Sequence, residues 1–374
     1  MQKRLSLLFP ISYAFKQTMN KFFFFLLAPL FVCGFTFPVL SQMNALPTPP
    51  VAKIIPKLDV THGDKRTDNY FWLRDRNNPE VIQYLEAENA YTEAQMSDTK
   101  ALQEKLFAEM KSRIKETDVS VPYENKGYFY YSRTAEGKQY SIYCRKKGSM
   151  DAAEEITLDL NALAEGKTFL RLGAYAPSPN AKLLGYGLDF DGSRRFTLRV
   201  KNLETGELLS DEIPSTGGGF VWGNDNATFF YNVYDSALRS YKIFRHELGS
   251  PVSSDTEVFH EKDEKFDCYI GKTRNDRYLI ITTNSKITSE TWYLDADSPR
   301  GTFRCFEPRK TGHEYAVSHH DSGFIIWTND NAKNYRIMTA PVGKTERKHW
   351  KELIAHRPKV KIDDIDIFEK FFAL

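Results

Sequence analysis

Arg277-Tyr278-Leu279-Ile280-Ile281-Thr282-Thr283 sets four consecutive apolar side chains between the charged turn Asn275-Asp276-Arg277 and a polar exit. A short apolar run bounded by turn residues and rich in aromatic and β-branched types reads as a buried strand. The pattern recurs in Gly127-Tyr128-Phe129-Tyr130-Tyr131-Ser132, Lys182-Leu183-Leu184-Gly185-Tyr186, Ala227-Thr228-Phe229-Phe230-Tyr231-Asn232 and Gly323-Phe324-Ile325-Ile326-Trp327-Thr328. The copies lie about 45 to 55 residues apart, the period range of propeller blades, where one unit repeats because it cannot bury its faces alone. Lys370-Phe371-Phe372-Ala373-Leu374 is a sixth copy, at the last residues of the sequence.

Between the copies the chain is strand and turn from Val121 onward. Ala135-Glu136-Gly137-Lys138, Phe190-Asp191-Gly192-Ser193 and Glu204-Thr205-Gly206-Glu207 carry the glycine and carboxylate chemistry of tight hairpins. Pro177-Ser178-Pro179-Asn180 turns into one core strand, and Thr216-Gly217-Gly218-Gly219 is a loop into the next. Each period then holds about four short strands. The expected fold class is all-β, a β-propeller over residues 121–374. A pair of β-sandwiches is the alternative that the pattern leaves open.

Composition fits a folded β-rich chain: 14% of the 374 residues are aromatic and 27% charged. The first 41 residues carry Lys3, Arg4, Lys16 and Lys21 and no acid, so 47 basic and 49 acidic residues remain, a net charge of −2. Phosphate neutralisation needs a clustered basic excess, so no nucleic-acid partner is expected. Lys146-Lys147 and Arg194-Arg195 are short enough to read as solvated faces.

Residues 1–41 read as a signal peptide. Asn20-Lys21 precede an apolar run from Phe22 to Leu40 that Pro29, Gly34 and Pro38 interrupt, and Val39-Leu40-Ser41 supplies small residues for cleavage. Mature protein would begin near Gln42, periplasmic or secreted and free of the membrane; Met19 would serve as a start by itself. A retained anchor is the other reading, since the run is about long enough to span. Cys33 lies in this segment. Cys144, Cys268 and Cys305 are an odd, widely spaced set without Cys-x-x-Cys metal spacing, which reads as buried thiols, with a Cys268–Cys305 pair left open.

Residues 42–120 form an arm and two helices. Asn44 to Pro56 holds four prolines and should run extended. The aromatic run Tyr70-Phe71-Trp72-Leu73 needs a partner surface. Asn78-Pro79-Glu80 is a helix start, with an Asn cap, Pro where its missing N–H costs nothing, and an acid at the positive helix end. Val81, Tyr84, Leu85 and Tyr91 share a face of that helix, and Ser97-Asp98 opens a second one carrying Leu102, Leu106, Met110 and Ile114. Two such helices cannot bury both stripes on each other.

The run from His62-Gly63-Asp64 through Tyr70-Phe71-Trp72-Leu73-Arg74-Asp75 to Pro79-Glu80-Val81 and Tyr84-Leu85-Glu86-Ala87-Glu88-Asn89-Ala90-Tyr91 resembles the amino-terminal signature of the prolyl oligopeptidase family, in its oligopeptidase B branch. The resemblance continues through Leu203-Glu204-Thr205-Gly206, Phe220-Val221-Trp222-Gly223-Asn224-Asp225, Phe244-Arg245-His246, Thr288-Ser289-Glu290, His313-Glu314-Tyr315 and Asn331-Ala332-Lys333-Asn334-Tyr335, over about residues 53 to 374. It implies a seven-bladed propeller, incomplete here, that gates access of short peptides to a serine-peptidase α/β-hydrolase domain. The amino-terminal helices would pack on that domain, and the complete enzyme would cut after Lys or Arg through an acyl-enzyme.

The family's catalytic Ser, Asp and His would lie beyond residue 374. A serine nucleophile on that scaffold needs a Gly-x-Ser-x-Gly elbow. Ser149, Ser193, Ser250 and Ser322 each adjoin a glycine, but none has glycines at that spacing. His313, His319, His320 and Asp321 suggest a metal only superficially, because neighbours on a strand point to opposite faces. Asp189-Phe190-Asp191-Gly192 echoes a calcium loop but lacks its further ligands, so a hairpin turn is expected. No catalytic, metal or cofactor residue is expected in this chain, which reads as the gating part of a peptidase, inactive alone. The alternative is a non-catalytic propeller that binds peptides or a protein partner.

Overall fold

The computed structural model describes residues 47–374. The expected signal segment, with Cys33, lies outside the described residues. The chain divides into two compact units, one ending at Lys111 and the other running from Ser112 to Leu374.

In the first unit the proline-rich residues 47–56 form no regular element. A hairpin that the sequence reading left unmarked follows, pairing Lys57–Thr61 with Asp64–Asp68. His62 and Gly63 turn it with φ of 52° and 84°, the two positive values that a two-residue type I′ turn requires. The aromatic run finds part of its partner surface in the arm itself: Trp72 Nε1 donates to the Lys53 carbonyl at 2.9 Å, and the Lys57 ammonium lies 3.1 Å above the Phe71 ring. Helix α1, Pro79–Gln95, is capped as expected by Asn78, whose side chain accepts from the Glu80 N–H. Helix α2 is Lys100–Ser112 and leaves Leu102, Leu106, Phe107 and Met110 exposed. It stops short of Ile114 because Asp118 and Ser120 already bond the backbone of Thr134 and Ser132, which demands extended chain.

The second unit is a succession of antiparallel four-stranded sheets. The first comprises Tyr123–Asn125, Tyr128–Arg133, Ile142–Lys147 and Glu155–Asp159; the second Arg171–Pro177, Leu183–Asp189, Phe196–Asn202 and Leu208–Thr216. The third holds Val221–Trp222, Thr228–Tyr234, Ser240–Glu247 and Thr256–His260, and the fourth Asp267–Lys272, Tyr278–Asn284, Ser289–Asp295 and Arg304–Glu307. Tyr315–His320, Gly323–Thr328, Arg336–Ala340 and Lys351–Ile354 make the fifth, and Asp366–Ile367 pairs with Phe372–Ala373 in a two-stranded sheet after it. This is an incomplete β-propeller, as the repeat implied.

Every full copy of the repeated run is the second strand of its sheet. The reason is visible at Tyr278–Asn284. Leu279 and Ile281 point to one face and pack with Phe230, Ile243 and Cys268 toward the third sheet. Tyr278 and Ile280 point to the other face and pack with Phe306, Tyr315, Phe324 and Ile326 toward the fifth. A strand covered on both faces cannot alternate apolar with polar residues, so it reads as an unbroken apolar run. Gly185 interrupts the second copy for a steric cause: a Cβ there would lie 2.2 Å from the Phe220 ring.

Strand pairing between the four-stranded sheets is confined to Thr216 with Val233, which joins the second and third; lone backbone bonds also run from the Asn224 N–H to the Ala296 carbonyl (2.8 Å) and from the Ser289 N–H to the His313 carbonyl (3.1 Å). Beyond these the joints rest on side chains. At the second and third sheets, buried His246 bridges Asp211 (3.0 Å) and Asp255 (2.7 Å). At the third and fourth, Arg309 bridges Glu261 (2.5 Å) and Glu290 (3.1 Å) while lying 4.0 Å over Phe266. At the fourth and fifth, Arg347 reaches Asp330 at 2.9 Å, and its own backbone N–H donates to Glu307 at 2.9 Å. Between the first and second, Lys201 donates to the Thr157 carbonyl, and Arg145, buried beside Glu155, donates to the Ala181 carbonyl. Arg195 is half-buried and donates to the Asp235 carbonyl at 3.0 Å, a link that its reading as a solvated face missed.

Cys144, Cys268 and Cys305 are free thiols. Cys268 and Cys305 occupy the two outer strands of the fourth sheet with two strands between them, so the pairing left open from sequence is out of reach at about 14 Å.

Arg309→Ala leaves two buried carboxylates without their cation and is expected to cost about 3 to 5 kcal/mol in a urea unfolding curve. Gly185→Ala forces Phe220 to move and should cost about 1 to 3 kcal/mol in the same measurement; an unchanged midpoint for either variant contradicts the packing described.

Candidate functional site

The side chains flagged from sequence do not assemble a catalytic centre. Ser149, Ser193 and Ser250 sit in turns or at strand ends. Ser322 Oγ lies 3.3 Å from His320 Nδ1, and His320 Nε2 faces the Glu369 carbonyl at 3.0 Å. That serine is on an exposed hairpin turn rather than a strand-to-helix elbow. His313 and His319 are buried and separated by function: His313 meets Thr328 and Arg347, whereas His319 meets Asn275. Among the described residues no group of three or more His, Cys, Asp or Glu is placed to hold a metal. Asp189 spends its carboxylate on the N–H groups of Asp191, Gly192 and Arg194, which makes the turn a backbone-capped hairpin.

What the fold does bring together is the set of turns between the first and second strands of successive sheets. In the first four sheets each turn has one non-glycine residue in the left-handed region: Lys126, Ala181, Asn226 and Asp276, with φ between 51° and 59°. The turns touch one another. Asn226 Oδ1 accepts from the Asn180 N–H (2.8 Å), Asn224 Nδ2 donates to the Asp276 carbonyl (3.0 Å), and Lys126 of the first sheet pairs with Asp276 of the fourth at 2.7 Å. Beneath them Lys272 Nζ donates to Asn224 Oδ1 and lies 3.8 Å from Asp276. Burial lowers the Lys272 pKa, and the Asp276 carboxylate opposes that shift.

Beside this knot, the first strands of the fourth and fifth sheets and of the two-stranded sheet wall a cleft of about 470 Å³, lined by Tyr269, Lys272, Arg274, Val317, His319 and Asp366 among others. A second recess of about 310 Å³ adjoins it and shares Arg274 and His319. Arg274 stacks 4.1 Å over Phe368 and reaches Asp366 at 3.4 Å. Asn275 Oδ1 accepts from Thr273 Oγ1, so Asn275 Nδ2 donates to His319 Nδ1 at 2.9 Å, which puts the ring proton on Nε2. Burial holds His319 below the ordinary histidine range. The cleft offers cations, amides and aromatic faces but no nucleophile paired with a base.

The sequence reading passed over Lys126 and Lys272, named Asn224 only within a family motif, and treated Asn275-Asp276-Arg277 only as a turn. The recoverable signal was the position: each precedes a core strand by a few residues in a repeating unit, so they must gather at one end of it.

The geometry agrees with what comparisons with known proteins show. The family model for the prolyl oligopeptidase N-terminal beta-propeller domain matches residues 49–374. The chain belongs to the prolyl oligopeptidase family of peptidases. It is 40% identical over 354 residues to dipeptidyl aminopeptidase BI of Pseudoxanthomonas mexicana, covering 89% of this chain and 49% of that protein. To protease 2 of Moraxella lacunata it is 37% identical over 306 residues, covering 80% and 44%. The solved structure of oligopeptidase B from Trypanosoma brucei, with covalently bound antipain in a closed form, superposes with a TM-score of 0.80 at 32% identity, covering 87% of this chain and 49% of that one. The chain thus spans about half the length of the relatives it matches.

Asp276→Asn removes the carboxylate shared by Lys126 and Lys272 and should cost roughly 1 to 2 kcal/mol of stability, while Lys126→Gln, which breaks only the solvent-facing pair, should cost less than about 1 kcal/mol. Equal effects in thermal melts would mean that Lys272 does not depend on Asp276.

Proposed function

We propose that this chain is the substrate-gating propeller portion of an oligopeptidase-B-like serine peptidase that cuts short peptides after Lys or Arg. The observation that carries this reading is the match of residues 49–374 to a peptidase propeller domain in a sequence with no Gly-x-Ser-x-Gly elbow. The nucleophile, its base and the oxyanion donors would come from an α/β-hydrolase domain outside these 374 residues, and the propeller would admit an extended peptide while excluding folded protein. The unpaired apolar side chains of α2 support a need for such a partner domain. By itself the chain hydrolyses nothing. Export through residues 1–41, to a periplasmic or extracellular destination, is part of the same proposal.

The name of the Pseudoxanthomonas relative favours a second substrate geometry, removal of dipeptides from a free amino end. Blocked peptides separate the two. The purified chain should leave an N-terminally blocked arginyl peptide intact. A chimera carrying this propeller on the catalytic half of the Moraxella protease should cleave that peptide and spare a folded protein. Hydrolysis by the chain alone, sensitive to a serine-directed inhibitor, would refute the reading. A chimera that acts only on unblocked peptides would shift it to dipeptide removal, and one that binds peptides without cutting them would favour a purely binding propeller. Export predicts a mature amino terminus near Gln42, read by mass spectrometry.

A further inference from the structure

The joint between the fourth and fifth sheets differs from its neighbours in the company its histidine keeps. His313 precedes the strand Tyr315–His320 and is buried. Arg347, from the short 3-10 turn Arg347–His349, donates to His313 Nδ1 at 3.1 Å, and His313 Nε2 therefore carries the proton and donates to Thr328 Oγ1 at 2.9 Å. The same Arg347 holds Asp330 at 2.9 Å and lies 3.6 Å from Glu307 on the outer strand of the fourth sheet. Tyr315 stacks on the imidazole with ring centroids 5.1 Å apart, and Trp350 lies 6.0 Å away. Both imidazole nitrogens are committed, one as acceptor and one as donor, in a neutral ring.

We propose that protonation of His313 unlocks this joint, so that acid loosens the fifth sheet from the fourth and opens the cleft their first strands share. A proton on Nδ1 abolishes the only acceptor for that Arg347 N–H and sets an imidazolium directly against a guanidinium. Of the charged groups around it, Arg347 and Lys310 oppose the new charge and Asp330 favours it. Asp330 is already engaged by Arg347 and Arg336, and Glu307 by Arg347. Burial and the Arg347 charge push the histidine down to about 4. The folded joint thus binds fewer protons than the opened one between about pH 6.5 and 4, and its stability falls as pH falls through that window. The other joints lack this polarity. Both nitrogens of His246 face carboxylates and neither faces a guanidinium, and the Arg309 joint contains no histidine.

The consequence reaches the candidate site because Tyr269, Lys272 and Arg274 come from the fourth sheet and its first turn, and Val317 and His319 from the fifth. The proposal stands whether or not the propeller serves a peptidase.

Hydrogen–deuterium exchange on the whole chain, corrected for the intrinsic pH dependence, tests it at pH 7 and pH 5. Peptides covering 303–307 and 345–350 should lose protection by up to about twentyfold at pH 5, the linkage of a single histidine released to its ordinary value. A peptide on the third-sheet side of the third-to-fourth joint, 257–262, should change little. In His313→Gln, which keeps a donor for Thr328 without titrating, the selective loss should vanish. Uniform loss at both joints, or no loss at either, overturns the proposal in the wild-type chain alone. Unchanged pH sensitivity in a folded His313→Gln variant overturns it as well.

Discussion

Hydrogen bonding in this molecule is almost entirely completed inside each sheet, and that constraint governs the rest. A four-stranded antiparallel sheet satisfies its interior backbone but leaves two broad faces, and neither face has any backbone means of binding its neighbour. The bridge between Thr216 and Val233 and the lone backbone bonds of Asn224 with Ala296 and Ser289 with His313 are the exceptions. The other contacts the sheets make with one another involve at least one side chain. The second strand of each sheet therefore has to be apolar on both faces, and Tyr278-Leu279-Ile280-Ile281 divides its four residues evenly between the third and fifth sheets.

Apolar faces attract without directing, since burial of such surface is non-directional. Direction comes from charged groups set where the outer strand of one sheet meets the next. His246 between two aspartates, Arg309 between two glutamates and Arg347 between Glu307 and Asp330 follow one plan, in which a hydrogen-bond donor on one sheet is shared with an acid on its neighbour. Such buried pairs gain little net stability over an apolar replacement, because desolvation offsets much of the attraction. Their geometric demand is strict, however, and sheets that slid past one another would strand a buried charge. The knot of Lys126, Asn224, Lys272 and Asp276 applies the same chemistry at the first turns, where it also borders the cleft.

The repeat, the hairpin turns and the cap of α1 were legible because they depend on neighbours within a few residues. Asn78 caps the Glu80 N–H two positions on, and Gly206 turns the chain between Phe196–Asn202 and Leu208–Thr216. The absence of a serine elbow was equally local. The hairpin at His62-Gly63 was missed because its strands are exposed: Leu58 and Val60 alternate with polar residues in Lys57–Thr61, but Asp64–Asp68 has no apolar residue to answer them. Arg195 looked like half of a solvated basic pair because its acceptor, the Asp235 carbonyl, is forty residues away. The cysteines showed the same limit: spacing permitted a Cys268–Cys305 bond, and only the order of strands within the fourth sheet removed it.

Sequence by itself determined the architecture of Tyr278-Leu279-Ile280-Ile281 and its copies: a strand buried on both faces, repeated at a blade's period. This follows because strand formation and two-sided burial are written in the order of adjacent residues. Tertiary structure alone decided which distant side chains meet, from Lys126 with Asp276 across the first and fourth sheets to Arg347 with His313 at the fourth and fifth. Those contacts join residues 150 and 34 positions apart, and no pattern of neighbours encodes a partner that only the stacking of whole sheets brings within hydrogen-bond distance.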